Sequence, residues 1–201
     1  MAGPWNEDST SSMRPMKIRT STDTLPSEES YHISRWELGT ANFEALAGVK
    51  ACVDYIASIG GEGGVSSRRE NIIRAWEIIG EHENKLKTSF LSEITKIDQI
   101  QLFGISDIKE IERRSCTFAI GVLADIEGGS TKLEDPDLLT SYLNKHGVAC
   151  TYGNHYCTFW EKSLSLSQET GVVRISFLHY NTVEEVERII TLIKQYVDDS
   201  K

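Results

Sequence analysis

The sequence predicts an α+β domain, a mixed or antiparallel sheet of short strands covered on one side by helices and preceded by a long helix. Two patterns carry this. Val173, Ile175 and Phe177 alternate with Arg174 and Ser176, and Cys116, Phe118, Ile120 and Val122 alternate with Thr117, Ala119 and Gly121. That period of two marks strands with one buried face. Directly after the first pattern, Thr182 with Glu185 forms a capping box, and Val183, Val186, Ile189, Ile190, Ile193 and Val197 follow at helical spacing.

The composition narrows the class. A chain of 201 residues, 39% of them hydrophobic, holds one domain with a real core, or is a fragment of something larger. The net charge of -9 argues against nucleic acid or an anionic membrane as partner, since both require clustered lysine and arginine. No apolar run is long enough to cross a bilayer and the N-terminus has no signal-peptide core, so a cytoplasmic protein is expected. The four cysteines, Cys52, Cys116, Cys150 and Cys157, show no C-x-x-C spacing, which points to reduced thiols and no metal site.

Residues 1–30 are dominated by Ser, Thr, Asp, Glu and Pro, and a disordered polar segment is expected there. Residues 31–60 form a second region. Arg35 to Phe43 reads as an extended piece, a glycine turn and a helix start capped by Thr40 or Asn42. Phe43, Leu46, Ala47, Val49, Val53 and Ile56 then make one apolar face, and Gly60-Gly61 ends the helix. Gly39 and Thr40 before a helix N-terminus are either a phosphate seat or a plain cap, because free N–H groups and the helix dipole favour an anion. The loop Gly60 to Gly64 reads as a hinge, since Glu62 would repel phosphate and no G-K-[ST] follows.

Residues 61–201 make the α+β region. Ser67 and Glu70 cap a long helix with Ile72, Trp76, Ile79, Leu86, Phe90 and Ile94 as its buried stripe. Strands are expected over Gln99 to Ile105 and Ser115 to Ala124, with the loop Asp125 to Gly129 after them. Asp135-Pro136 opens a helix through Leu138, Leu139 and Leu143, ended by His146-Gly147, and Val148 to Thr151 reads as a further strand. From Gln99 the order is strand, strand, helix, strand, short helix, strand, helix. On the second face of the last strand, Arg174 admits two readings: a solvated or salt-bridged surface arginine, or a planar fork that grips a carboxylate through two parallel hydrogen bonds.

Three ordered stretches carry a resemblance: R-W-E-L-G-T-A-N-F-E-A-L-A-G, H-G-V-A-C-T-Y-G-N-H-Y-C and V-V-R-I-S-F-L-H-Y-N-T-V-E-E-V. Together they resemble the C-terminal part of a class V aminotransferase of the cysteine desulfurase-like group, fold type I enzymes that use pyridoxal phosphate. The resemblance implies the small C-terminal domain of such an enzyme, preceded by its long crossover helix. It implies that Gly39 and Thr40 reach the cofactor phosphate, commonly across a dimer interface, and that Arg174 holds the α-carboxylate of an amino-acid substrate. It also makes Gly153-Asn154-His155-Tyr156 the active-site loop, with Asn154 and His155 as candidate substrate neighbours; for His155 a loop-anchoring role is the alternative.

Two departures qualify the resemblance. Where cysteine desulfurases carry a nucleophilic cysteine, three residues after the loop glycine, this chain has Tyr156, and Cys157 comes one later, which makes Cys157 either a candidate persulfide carrier or an ordinary small loop residue. Nor does a Schiff-base lysine stand where the family places it: Lys17 lies in the segment just before the Gly-Thr motif and Lys50 on the helix after it. Transamination, or carbon–sulfur or carbon–nitrogen cleavage, is thus expected by family but not of the isolated chain. The alternative is a non-catalytic, truncated relative serving as a folding or dimerisation module. Either way the apolar face after Asn42 predicts association, as a homodimer or with a large-domain partner.

Overall fold

The computed structural model describes residues 41–61, 67–126, 130–157 and 171–200. The polar segment 1–30 and the Gly39-Thr40 motif lie outside the described residues, as do residues 158–170, where the short helix between the last two strands was expected. The chain divides into two compact units, Met1–Ile56 and Ala57–Lys201. Most of helix α1 (Phe43–Ile59) belongs to the first. Asn42 Oδ1 accepts from the Ala45 amide at 3.0 Å, so Asn42 supplies the cap. Phe43, Leu46 and Val49 are exposed, Phe43 by 72%.

The second unit opens with α2 (Arg68–Ile94). Its capping box is complete: Ser67 Oγ accepts from the Glu70 amide, and Glu70 Oε2 accepts from the Ser67 amide at 2.7 Å. Ala75, Ile79, Leu86, Phe90 and Ile94 are buried, whereas Trp76 is 57% exposed, which corrects the expected stripe. The cause is backbone packing. The Gly60 turn lies so close to the start of α2 that a Cβ there would sit 1.9 Å from the Asn71 carbonyl oxygen and 2.9 Å from the Ala75 nitrogen. The buried face therefore runs through Ala75, one position before Trp76, and Ile79.

The strands are β1 (Ile100–Phe103), β2 (Thr117–Ile126), β3 (Ser130–Leu133), β4 (Thr151–Gly153) and β5 (Val172–Ser176). All their pairings are antiparallel, in the order β1-β2-β5-β4, with β3 beside the far end of β2. A 3-10 helix over Ile108–Arg113, capped by Asp107, and strand β3 were not anticipated. Helix α3 (Pro136–Lys145) has Asp135 as its cap and Pro136 in its first turn. The strand expected over Val148 to Thr151 begins only at Thr151. Val148 is taken by the end of α3 instead: Gly147 adopts φ +76°, the Val148 amide donates to the Leu143 carbonyl at 2.9 Å, and its side chain is buried.

Helix α4 (Val183–Asp199) follows the Thr182–Glu185 capping box. With α2 and α3 it contributes to one core against the buried face of the sheet, where Phe90, Phe118 and Phe177 meet; the first two rings are 4.3 Å apart. Burial of each such side chain contributes about 1.5–3 kcal/mol. Lys194 pairs with Glu93 at 2.8 Å, and His82 Nε2 donates to the Asn181 carbonyl at 2.8 Å, tying α4 and the turn before it to α2.

Two measurements test this account. Gly171 has φ +69°, and a Cβ on it would lie 2.1 Å from the Gly153 carbonyl carbon. Urea denaturation of Gly171→Ala is therefore expected to show a loss of roughly 2 kcal/mol or more, against about 1 kcal/mol for Thr182→Ala, which removes only a cap. Burial first, and Glu83 second, push the Cys116 thiol up to about 11. It stays protonated below that pH, so native alkylation at pH 8 is expected to label exposed Cys52 and Cys157 and to spare Cys116 until the fold is denatured.

Candidate active-site cleft

The outward face of the sheet carries one cross-strand row. Phe103 of β1 pairs with Ala119 of β2, Ala119 with Arg174 of β5, and Arg174 with Thr151 of β4. Because side chains alternate along a strand, Ile175 and Val173 enter the core while Arg174 stands on the opposite, exposed face. Its neighbours in the row are small, so the guanidinium is not crowded. Among the described residues it has no hydrogen-bond or ion-pair partner. Arg174 lies on a cleft of about 420 Å³ whose lining also includes His155 and Cys157.

The loop that brings His155 and Cys157 there departs from ordinary backbone. His155 has φ +48° and Tyr156 φ +64°, two successive non-glycine residues in the left-handed region. Each costs about 1 kcal/mol or more. The turn is held by Asn154, whose Oδ1 accepts from the Tyr156 amide at 3.0 Å and whose carbonyl accepts from the Cys157 amide at 2.8 Å. His155 Nε2 reaches the Val172 carbonyl at 3.3 Å, pinning the loop to β5. Asn154 is not among the residues lining the cleft, and neither is Tyr156, which is fully exposed. Cys157 does line it, so the double left-handed turn presents the cysteine in spite of its one-residue displacement.

The opposite wall comes from residues that the sequence reading passed over. Arg114 donates from Nη1 to the Ile105 carbonyl, from Nη1 and Nη2 to the Phe103 carbonyl, and from Nη2 to the Thr117 carbonyl at 3.4 Å. Its guanidinium also sits over the Phe118 ring, 4.6 Å from the centroid. It thereby clips the Gly104 turn to β2. Burial lowers its pKa, and no carboxylate partners it among the described residues; its Nε is buried with no acceptor. Arg113 lies beside it on the cleft and pairs with Glu110 at 2.6 Å. The available signal was the Arg113-Arg114 pair just before a strand, which local pattern alone cannot assign to a wall.

No metal site forms among the described residues, where no group of three or more His, Cys, Asp or Glu comes together. Among the described residues no lysine and no aspartate lines the cleft. Lys50 pairs with Asp54 at 2.8 Å, and buried Lys87 donates to the carbonyls of Ile111 and Arg114 at 3.0 and 2.9 Å. Among the described residues no helix is long and apolar enough to cross a membrane. Chemically the cleft is a polycationic recess with one thiol and one imidazole on its edge.

Comparison with known proteins supplies the family. Residues 5–189 match the class V aminotransferase family. An aminotransferase-like protein, FGM3, of Gibberella zeae is 31% identical over 81% of this chain and 35% of its own length. A cysteine desulfurase of Enterobacter sp. is 26% identical over 80% of the chain and 32% of its own length. Among solved structures, the cysteine desulfurase CsdA of Escherichia coli superposes with a TM-score of 0.54 at 18% identity, over 81% of this chain and 32% of that one. A NifS-like protein of Rickettsia africae gives 0.52 at 16% identity, over 82% and 37%. The structural likenesses extend the α+β reading to the fold of cysteine desulfurases, and this chain spans about a third of the length of these relatives. With the family matched over nearly the whole chain, this protein belongs to the class V aminotransferases.

Proposed function

We propose that the chain is the substrate-carboxylate domain of a pyridoxal-phosphate enzyme acting on an amino acid, by transamination or by carbon–sulfur or carbon–nitrogen cleavage. The observation that carries this is Arg174: exposed, without a partner among the described residues, and set between small side chains on the floor of a cleft. A free guanidinium in a recess is arranged to accept a carboxylate in bidentate fashion, which fixes the plane of the acid and with it the orientation of the α-carbon. His155 and Asn154 serve this by shaping the loop. Cys157 is the thiol closest to hand for any sulfur-transfer variant of the reaction.

When bound, pyridoxal phosphate supplies the electron sink for chemistry at the α-carbon. The described cleft does not fit that group: it offers no lysine for an imine and no aspartate for a ring nitrogen. We therefore assign it the acid end of the substrate and derive no step through the cofactor. Gly39 and Thr40 remain the proposed phosphate seat; Asn42 caps α1, so the Thr40 hydroxyl is not needed for that purpose. The exposed Phe43, Leu46 and Val49 favour association, with a second copy or with a large-domain partner, and a non-catalytic dimerisation module is the second reading that they support.

Protection of Cys157 tests the first reading. L-Alanine is expected to slow alkylation of Cys157 relative to Cys52, alaninamide is not, and Arg174→Ala is expected to weaken L-alanine binding by about 1.5–3 kcal/mol. Arg174→Lys should retain part of the effect, because it keeps the charge and loses the fork. Equal protection in the alanine variant would refute the assignment. Stoichiometric pyridoxal phosphate followed by borohydride is expected to leave no reduced chromophore on the isolated chain; a stable one would show that it holds the cofactor by itself.

A further inference from the structure

The charge of the cleft is out of proportion to a single carboxylate. In a chain of net charge -9, three guanidinium groups, Arg113, Arg114 and Arg174, line one recess, and among the described residues neither aspartate nor glutamate lines it. One α-carboxylate occupies one fork, which among the described residues leaves Arg114 without a carboxylate and Arg113 paired with Glu110. Arg114 has spent its Nη donors on the carbonyls of Phe103, Ile105 and Thr117 and contributes field rather than hydrogen bonds. Arg113 is different. It is exposed, and its pair with Glu110 is a solvent-facing contact within one turn, the kind of ion pair that exchanges at little cost.

Resting on the assignment of Arg174 to the α-carboxylate, we propose that the substrate is an amino acid with a second acidic group on its side chain, held by Arg113 in place of Glu110 within the field of Arg114. Arg174 sits on the sheet floor and Arg113 at the end of the 3-10 helix, so the two forks approach the recess from different elements. A substrate bridging them is fixed at both ends. A neutral side chain would leave Arg114, which has no carboxylate among the described residues, with no counter-charge in the recess.

Calorimetric titration of the full chain with propionate, succinate, glutarate and adipate separates this proposal from the one it rests on. At least one dicarboxylate is expected to bind about tenfold tighter than propionate. Arg113→Ala, a change at an exposed position, should reduce that preference to below about threefold, and Glu110→Gln should enlarge it by releasing Arg113. If no dicarboxylate is preferred, or if Arg113→Ala leaves the preference intact, the second-acid assignment is wrong. If Arg174→Ala leaves propionate binding unchanged, the reading of Arg174 itself fails.

Discussion

The pairing of β2 with β5 is the constraint from which the rest follows. It sets Phe118 against Ile175 on one face and Ala119 against Arg174 on the other. The first face is closed by helices around a cluster of phenylalanines, and sliding the register by one residue would drive the guanidinium into that cluster. Arg114 meets the Phe118 ring only with its Nη groups held by backbone carbonyls; burying Arg174 in the cluster without such acceptors would be costly, so the packing below the sheet determines where that cation stands above it. The position of the candidate anion grip is a by-product of core packing.

Above the sheet, the cleft is made of turns whose geometry is held by backbone contacts. Gly171 approaches Gly153 more closely than any side chain would permit, which brings the loop after β4 down onto the start of β5. The strain at His155 and Tyr156 is offset by the Asn154 turn and the His155 contact to Val172. On the far side, Arg114 collects three backbone carbonyls and holds the turn at Gly104. One arginine thus builds the wall while another is left free on the floor. The difference lies in what surrounds them, carbonyl oxygens in one case and small side chains in the other.

The family membership and the short span of the relatives covered give these features a setting. Among the described residues, guanidinium groups are concentrated at one recess. Among the described residues, acidic groups such as Glu70, Glu93 and Glu185 sit on exposed helix surfaces and caps, where lysines or amide groups satisfy them. The net negative charge of the chain and the positive charge of its cleft are therefore compatible, because these carboxylates lie outside the recess.

Much of the fold was legible in the residues themselves, because it rests on local rules. The alternation at Phe118 to Val122 and Val173 to Phe177, the capping boxes at Ser67 and Thr182, and the proline start at Asp135-Pro136 each depend on a few neighbours in the chain, and each stands as the pattern implied. The outward aim of Arg174 followed from the same alternation. What tertiary structure alone decided were the relations between distant segments. The Gly60 turn packed on Ala75 while Trp76 stayed exposed, the end of α3 claimed Val148, and Arg113 and Arg114 joined Arg174 and Cys157 around one recess. Such meetings depend on which backbones pack together, and no periodicity in a single stretch of sequence encodes a neighbour sixty residues away.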